Sequence, residues 1–286
     1  MTNYTIMTDS SCDVTDDLLQ TWQVRAAQLD VLVDGEEAKK NNEVDIAGFY
    51  QKLRDGKTAR TSAVNIGVFK DVFTAELAQG QDILYLGFSS ALSTTFQSSE
   101  IAAAELREEY PDRTIRIVDT LAASLGQGLL VHLAAKMQQE GADIETVYRY
   151  VSDNKLHICH WFTVDDLHFL KRGGRVSAAV ALVGSMLGIK PVMHMDDTGH
   201  LVNMSKSRGR DAAIVALADK YGQTVMDKNA PVFISHGDCI EDAKKLESML
   251  RDTYGVQDIL IGYVGPVIGA HSGPGTLAFF FLGEQR

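Results

Sequence analysis

Asp82-Ile-Leu-Tyr-Leu-Gly87 leads through Phe88-Ser89-Ser90-Ala91-Leu92-Ser93 into a long helical stretch that starts at Thr94 and reaches Tyr110. The first six residues read as a buried strand, the serine-rich stretch as a polar loop. Ile115-Arg-Ile-Val-Asp119 is a second strand, followed by an apolar helix over residues 121–139 that Gly141 stops. Strands alternating with helices in this way predict βαβ units and a largely parallel sheet. Upstream, Tyr4-Thr-Ile-Met-Thr-Asp9 reads as a strand running into a polar loop. Asp16 and Asp17 stand where a helix N-terminus favours negative charge. Residues 25–33 read as a strand closed by Asp34-Gly35, and residues 45–54 as a helix with Ile46, Phe49, Tyr50 and Leu53 on one stripe.

After about residue 155 the texture changes. Residues 157–162 and 192–195 look like strands separated by an Arg/Gly-rich stretch and a small-residue helix near 178–187. Asp196-Asp-Thr-Gly-His200 reads as a hairpin turn into Leu201-Val-Asn-Met204. A helix (211–221), a strand (231–235), a helix (240–254), a strand (258–263) and a Gly-rich end follow. The expectation is an α/β protein of two domains, 1–155 and 156–286.

The 286 residues, 45% hydrophobic and 23% charged, suffice for globular cores. The apolar runs 176–189 and 278–282 are too short to span a bilayer, which takes ~20 residues. The amino terminus lacks the basic start and apolar core of a signal peptide. Cys12, Cys159 and Cys239, odd in number and far apart, suit a reducing cytoplasm rather than a disulfide framework. A formal charge of −11 argues against nucleic acid as a partner.

Three polar segments interrupt apolar ones: Arg60-Thr61-Ser62-Ala63, Ser89-Ser-Ala-Leu-Ser-Thr-Thr95, and Gly269-Ala-His-Ser-Gly-Pro-Gly-Thr276. The second abuts a helix N-terminus, where free N–H groups and the macrodipole favour an anion such as a carboxylate. Taken singly, Thr94 reads first as a plain cap and Thr61-Ser62 as a turn, and His271 reads equally as a loop residue. Lys171-Arg-Gly-Gly-Arg175 reads either as an anion clamp or docking patch or as a basic loop between glycines.

Cofactor and metal signatures fail. Gly126-Gln-Gly128 lies within a helix and lacks the third glycine of a dinucleotide fingerprint, and no phosphate-binding Gly-x₄-Gly-Lys-Ser/Thr run occurs. His157 and Cys159 face away from His160 in a strand, so no metal set forms there. One enzymatic reading survives. Gly87-Phe-Ser89-Ser-Ala91 approximates a hydrolase elbow, giving a serine hydrolase built from Ser89 or Ser93 with Asp119 and His271.

The same segments carry a resemblance. Thr8-Asp9-Ser10, Thr61-Ser62, Ser89-Ser-Ala-Leu-Ser93, Val118-Asp119-Thr120, Lys171-Arg-Gly-Gly-Arg175, Ile189-Lys-Pro191, Arg208-Gly209 and Gly265-Pro-Val-Ile-Gly269 through His271-Ser-Gly-Pro-Gly275 together resemble the DegV family. The resemblance implies an N-terminal three-layer α/β/α domain and a C-terminal α/β domain with a ligand between them. It further implies a non-catalytic subunit that feeds phospholipid metabolism. Such a subunit holds a long-chain fatty acid such as palmitate (hexadecanoate) and presents it to a separate fatty acid kinase. Carried over, the carboxylate ligands are Thr61, Ser62, Ser93, Thr94 and His271, and the acyl chain occupies an apolar tunnel that residues 176–189 could line. Arg172 and Arg208 become candidates for kinase docking or phosphate neutralisation. The family loop usually reads Leu-Ser-Gly-Thr, whereas Thr94 stands here in the glycine's place. A positive φ at that position would strain the threonine.

Overall fold

A computed structural model describes residues 3–177 and 188–286. Its strands are β1 (Tyr4–Asp9), β2 (Val24–Ala27), β3 (Asp30–Val33), β4 (Lys39–Lys40), β5 (Ala59–Ser62), β6 (Asp82–Gly87), β7 (Ile115–Asp119), β8 (Ile158–Thr163), β9 (Ile189–Met195), β10 (Leu201–Arg208), β11 (Val232–His236), β12 (Ile259–Tyr263) and β13 (Leu277–Leu282). β2-β1-β6-β7 form an all-parallel sheet, as the strand–helix alternation predicts. β10-β9-β8-β13-β11-β12 form a second sheet, antiparallel except for the β11–β12 pair. β4-β3-β5 make a small antiparallel sheet.

The helix Ser124–Gln139 lies between the two larger sheets, and its sequence explains why. Leu125, Leu129, Leu130, Val131, Ala134 and Ala135 are all buried, so it is apolar around most of its circumference. A helix of that kind has to be covered on several sides. Against the parallel sheet it meets Ile6, Leu84 and Leu86; against the second sheet it meets Phe233, Ala278 and Phe280. A Cβ on Gly126 would fall 2.7 Å from Phe280 Cδ1, so this glycine sets how closely helix and sheet approach. The opposite face of the parallel sheet is covered by the helices Ile66–Leu77 and Thr95–Glu109, and the helix Ile46–Arg54 belongs to the same buried cluster. The outer face of the second sheet is covered by Arg210–Thr224 and Ile240–Tyr254.

Residue alternation accounts for the apolar run Leu277-Ala-Phe-Phe-Phe-Leu282. Ala278, Phe280 and Leu282 pack inward against the central helix, while Leu277, Phe279 and Phe281 pack outward. A strand covered on both faces loses the polar half of the usual alternation. No helix among the described residues is long and apolar enough to cross a membrane.

Three sequence expectations need correction. The single strand expected over 25–33 is two strands in two different sheets, broken where the Leu29 backbone N–H turns to Ser10 Oγ at 3.0 Å. The apolar helix begins at Ser124 rather than near 121, because Leu121 has a positive φ and Ala123 is extended. His271, read singly as a loop residue, lies in a short helix, Pro266–Ser272, with proline in its first turn, where the missing N–H has no cost. The small-residue helix near 178–187, and most of the tunnel wall expected over 176–189, lie outside the described residues.

Candidate functional site

The chain steps from β1 to β2 on one side of the parallel sheet and reaches β6 on the other. In α/β sheets ligands bind beyond the carboxyl ends of strands at such a switch point. A cavity of about 480 Å³ lies there, within the ordinary range for small-molecule sites, ~300–1,000 Å³. Leu29, just past β2, and Phe88, just past β6, line it. The strand ends are tied together by the buried carboxyl of Asp9. Its Oδ2 accepts from Phe88 N at 2.9 Å and Tyr85 Oη at 2.8 Å, and its Oδ1 from Ser11 N at 3.1 Å. The rest of the apolar wall comes from the second sheet and the Pro266 helix, including Phe162, Met195, Val267, Ala278 and Phe280.

All three polar segments reach this cavity. Thr61 Oγ1 and His271 Nε2 are 2.8 Å apart, which joins the first segment to the third. Val64 N, directly after the first segment, donates to Thr95 Oγ1 at 3.3 Å, which ties that end of the first segment to the second. Ser93 Oγ lies 2.9 Å from Thr95 Oγ1 and accepts from Thr95 N at 3.2 Å. Ser93 therefore caps the helix Thr95–Glu109, and Thr94 makes no side-chain cap. Thr94 is instead exposed at the rim of the cavity with φ −78°, so it carries none of the strain that a glycine-specific conformation would impose.

Thr61, Ser93, Thr94 and His271 thus line one cavity, and Ser62 does not. On β5 alternate side chains point to opposite sides, which turns Thr61 inward and leaves Ser62 exposed. Arg172 and Arg208 are both exposed and outside the lining; the Arg172 guanidinium sits 4.7 Å over the Phe169 ring. The cation that does line the cavity is Arg175, singled out in the sequence only as the end of the basic loop. Its Nε donates to the Leu92 carbonyl at 3.0 Å, and its Nη1 to the Gly173 carbonyl. Two glycines between the arginines let one point out and the other in, and no periodicity could have told them apart.

The electrostatics favour an anion. Burial first, then Arg175 and Arg172, push the His271 imidazolium down to about 4, so the ring is neutral at physiological pH. His271 Nδ1 is buried without a hydrogen-bond partner among the described residues. Burial lowers Arg175 from its ordinary value, yet a guanidinium stays charged. A half-buried cation, a neutral imidazole and three hydroxyls make a suitable cradle for one carboxylate. The hydrolase constellation is not assembled around Ser89. Ser89 is fully buried and donates to the Gly199 carbonyl at 3.0 Å, while Asp119 Oδ1 accepts from Ser90 N and Leu121 N. Among the described residues, no group of three or more His, Cys, Asp or Glu is placed to hold a metal.

Residues 3–284 match the family model described as DegV, an uncharacterised protein family. The chain belongs to the DegV family. A DegV domain-containing protein of Clostridium perfringens is 45% identical, with 100% of this chain and 99% of that protein aligned. One from Streptococcus pyogenes is 37% identical, with 99% of each chain aligned. Among solved structures, a DegV protein from Thermus thermophilus described by its fatty acid binding has a TM-score of 0.87 at 31% identity, covering 97% of this chain and 98% of that one. DegV from Bacillus subtilis, described as a fatty acid binding protein, has a TM-score of 0.83 at 27% identity, covering 99% and 100%.

In this DegV chain the Arg-Gly-Gly-Arg loop is packed tightly on the imidazole. A Cβ on Gly173 would lie 2.4 Å from His271 Nδ1. Gly173→Ala is expected to displace the ring, costing ~1–3 kcal/mol in stability. It should also break the Thr61–His271 contact, read as a lower melting temperature and weaker ligand binding. An unchanged melting curve and unchanged binding would refute the close packing.

Proposed function

We propose that this chain binds a long-chain fatty acid, with hexadecanoate as the reference ligand, and holds the carboxylate at Thr61, Ser93, Thr94, His271 and Arg175. Supporting this is one arrangement: a cavity walled mainly by apolar side chains, with hydroxyls, a neutral imidazole and a guanidinium gathered where the three polar segments meet. The solved relatives described as fatty acid binders point the same way. Each buried methylene contributes ~0.8 kcal/mol, so the tail provides most of the affinity and the polar groups set orientation. Removing two methylenes should weaken binding about 15-fold if the whole tail is buried.

Native mass spectrometry of the purified protein, followed by solvent extraction, tests the reading. We expect about one fatty acid per chain, reduced in His271→Ala and Ser93→Ala. A ligand-free mass that stays unchanged on adding hexadecanoate would overturn it.

The role we assign is non-catalytic: the protein, in the cytoplasm, presents the bound acid to a separate kinase that forms the acyl phosphate. Arg172 and Arg208, exposed and outside the cavity lining, are the residues we assign to that encounter. In a reconstituted assay with a fatty acid kinase, the double Arg→Ala variant should turn over more slowly while its hexadecanoate affinity is retained. A wild-type rate would remove both arginines from the contact.

A further inference from the structure

The cavity wall carries a second polar group that the head-group arrangement leaves unused. Ser124, at the start of the central helix, and Ser235, on β11, both line the cavity. Their hydroxyls are 3.1 Å apart, and Ser124 is hydrogen-bonded in turn to the carboxyl of Asp13, whose Oδ1 is buried. Their apolar surroundings include Ala278, which pairs with Ser235 across β11 and β13 and lines the same cavity, and Phe280 two residues on. A wall that met only methylenes would gain nothing from two serines and a buried acid, since polar groups facing hydrocarbon are penalised.

The three groups form a hydrogen-bonded relay that ends at the cavity. With the proton on Asp13, the carboxyl donates to Ser124, Ser124 donates to Ser235, and the Ser235 hydroxyl is free to donate into the cavity. With Asp13 ionised, every bond reverses and Ser235 presents lone pairs instead. A ligand hydroxyl, being both donor and acceptor, satisfies the relay in either state. Burial raises the Asp13 carboxyl to about 8, the charge of Asp9 adding to it, so the donating state prevails at neutral pH. A further hydroxyl on the same cavity, Ser272 Oγ, is buried and has no hydrogen-bond partner among the described residues.

We infer that Ser124 and Ser235, backed by Asp13, form a second polar subsite that takes the oxygen of a hydroxyl on the acyl chain, so that the ligand class includes long-chain hydroxy fatty acids. The inference rests on the fatty-acid reading above. The test is a displacement titration of octadecanoate against a series of hydroxyoctadecanoates differing only in the position of the hydroxyl.

Most positions should bind at least tenfold more weakly than octadecanoate, because the hydroxyl is stripped of water against an apolar wall. One position should bind as tightly or more tightly, and Ser235→Ala should weaken that isomer about tenfold relative to octadecanoate. Uniform weakening at every position, with octadecanoate bound, would overturn the subsite and leave the fatty-acid reading standing. A favoured position that survives both Ser235→Ala and Ser124→Ala would overturn it as well. Octadecanoate failing to bind would take down the underlying reading and this inference together. Should either variant fail to fold, the positional pattern in the unmodified protein decides.

Discussion

Arg175→Ala is expected to weaken hexadecanoate binding by about 30- to 1,000-fold while leaving the two sheets intact. The expectation follows from what the carboxylate loses. Removing one partner of a buried charge pair costs ~3–5 kcal/mol, because the remaining charge is left without compensation. Arg175 is only half-buried, so water recovers part of that, and ~2–4 kcal/mol is the appropriate span. Neutral groups cannot replace it. His271 is held uncharged by burial and by the arginines, and Thr61, Ser93 and Thr94 offer only dipoles. Arg175→Lys should fall between wild type and alanine, keeping a charge but losing the paired donation to the Leu92 and Gly173 carbonyls. Titration of delipidated protein measures both variants. An alanine variant within threefold of wild type would place the carboxylate elsewhere in the cavity.

Much of the framework was readable from local pattern. The stretch from Asp82 to Asp119 announces its strands through apolar runs and its helix through the serine-rich loop before it, and the parallel pairing of β6 with β7 follows. The pattern fails where tertiary contacts decide. Residues 25–33 form one β-rich run, yet a single side chain 19 positions away, Ser10, captures the Leu29 N–H and divides the run between two sheets. Three of the four hydroxyl positions assigned to the carboxylate face the cavity; Ser62 does not, because a one-residue step along β5 reverses the side chain. Arg172 and Arg175 sit in one short basic loop, and only the fold reveals which enters the site. Asp13 was the least legible of all. In sequence it looks like an ordinary acid ahead of a helix, and its partner Ser124 is 111 residues away.

Asp13→Asn is expected to stabilise the protein, and to do so increasingly as the pH rises. The carboxyl is raised to about 8 in the fold, against ~3.9 in an unfolded chain. A group raised on folding contributes its stability below the unfolded value and loses it as pH climbs through the folded one. At pH 7 the wild-type acid therefore carries a folding penalty of up to ~4 kcal/mol, since the unfolded chain ionises freely and the folded chain cannot. Asparagine has no such term, tolerates the left-handed φ of 55° at this position, and keeps a partner for Ser124. Thermal melts of the two proteins should nearly coincide at pH 4, diverge through neutrality and differ by a constant amount above pH 8. At neutral pH the variant should melt roughly 5–10 °C higher. A difference independent of pH, or a more stable wild type at pH 8, would show that the carboxyl ionises within the fold. If the variant is indeed more stable, the acid is retained at a cost to the fold. The property it has and asparagine lacks is a proton that can leave, which lets the relay to Ser235 reverse.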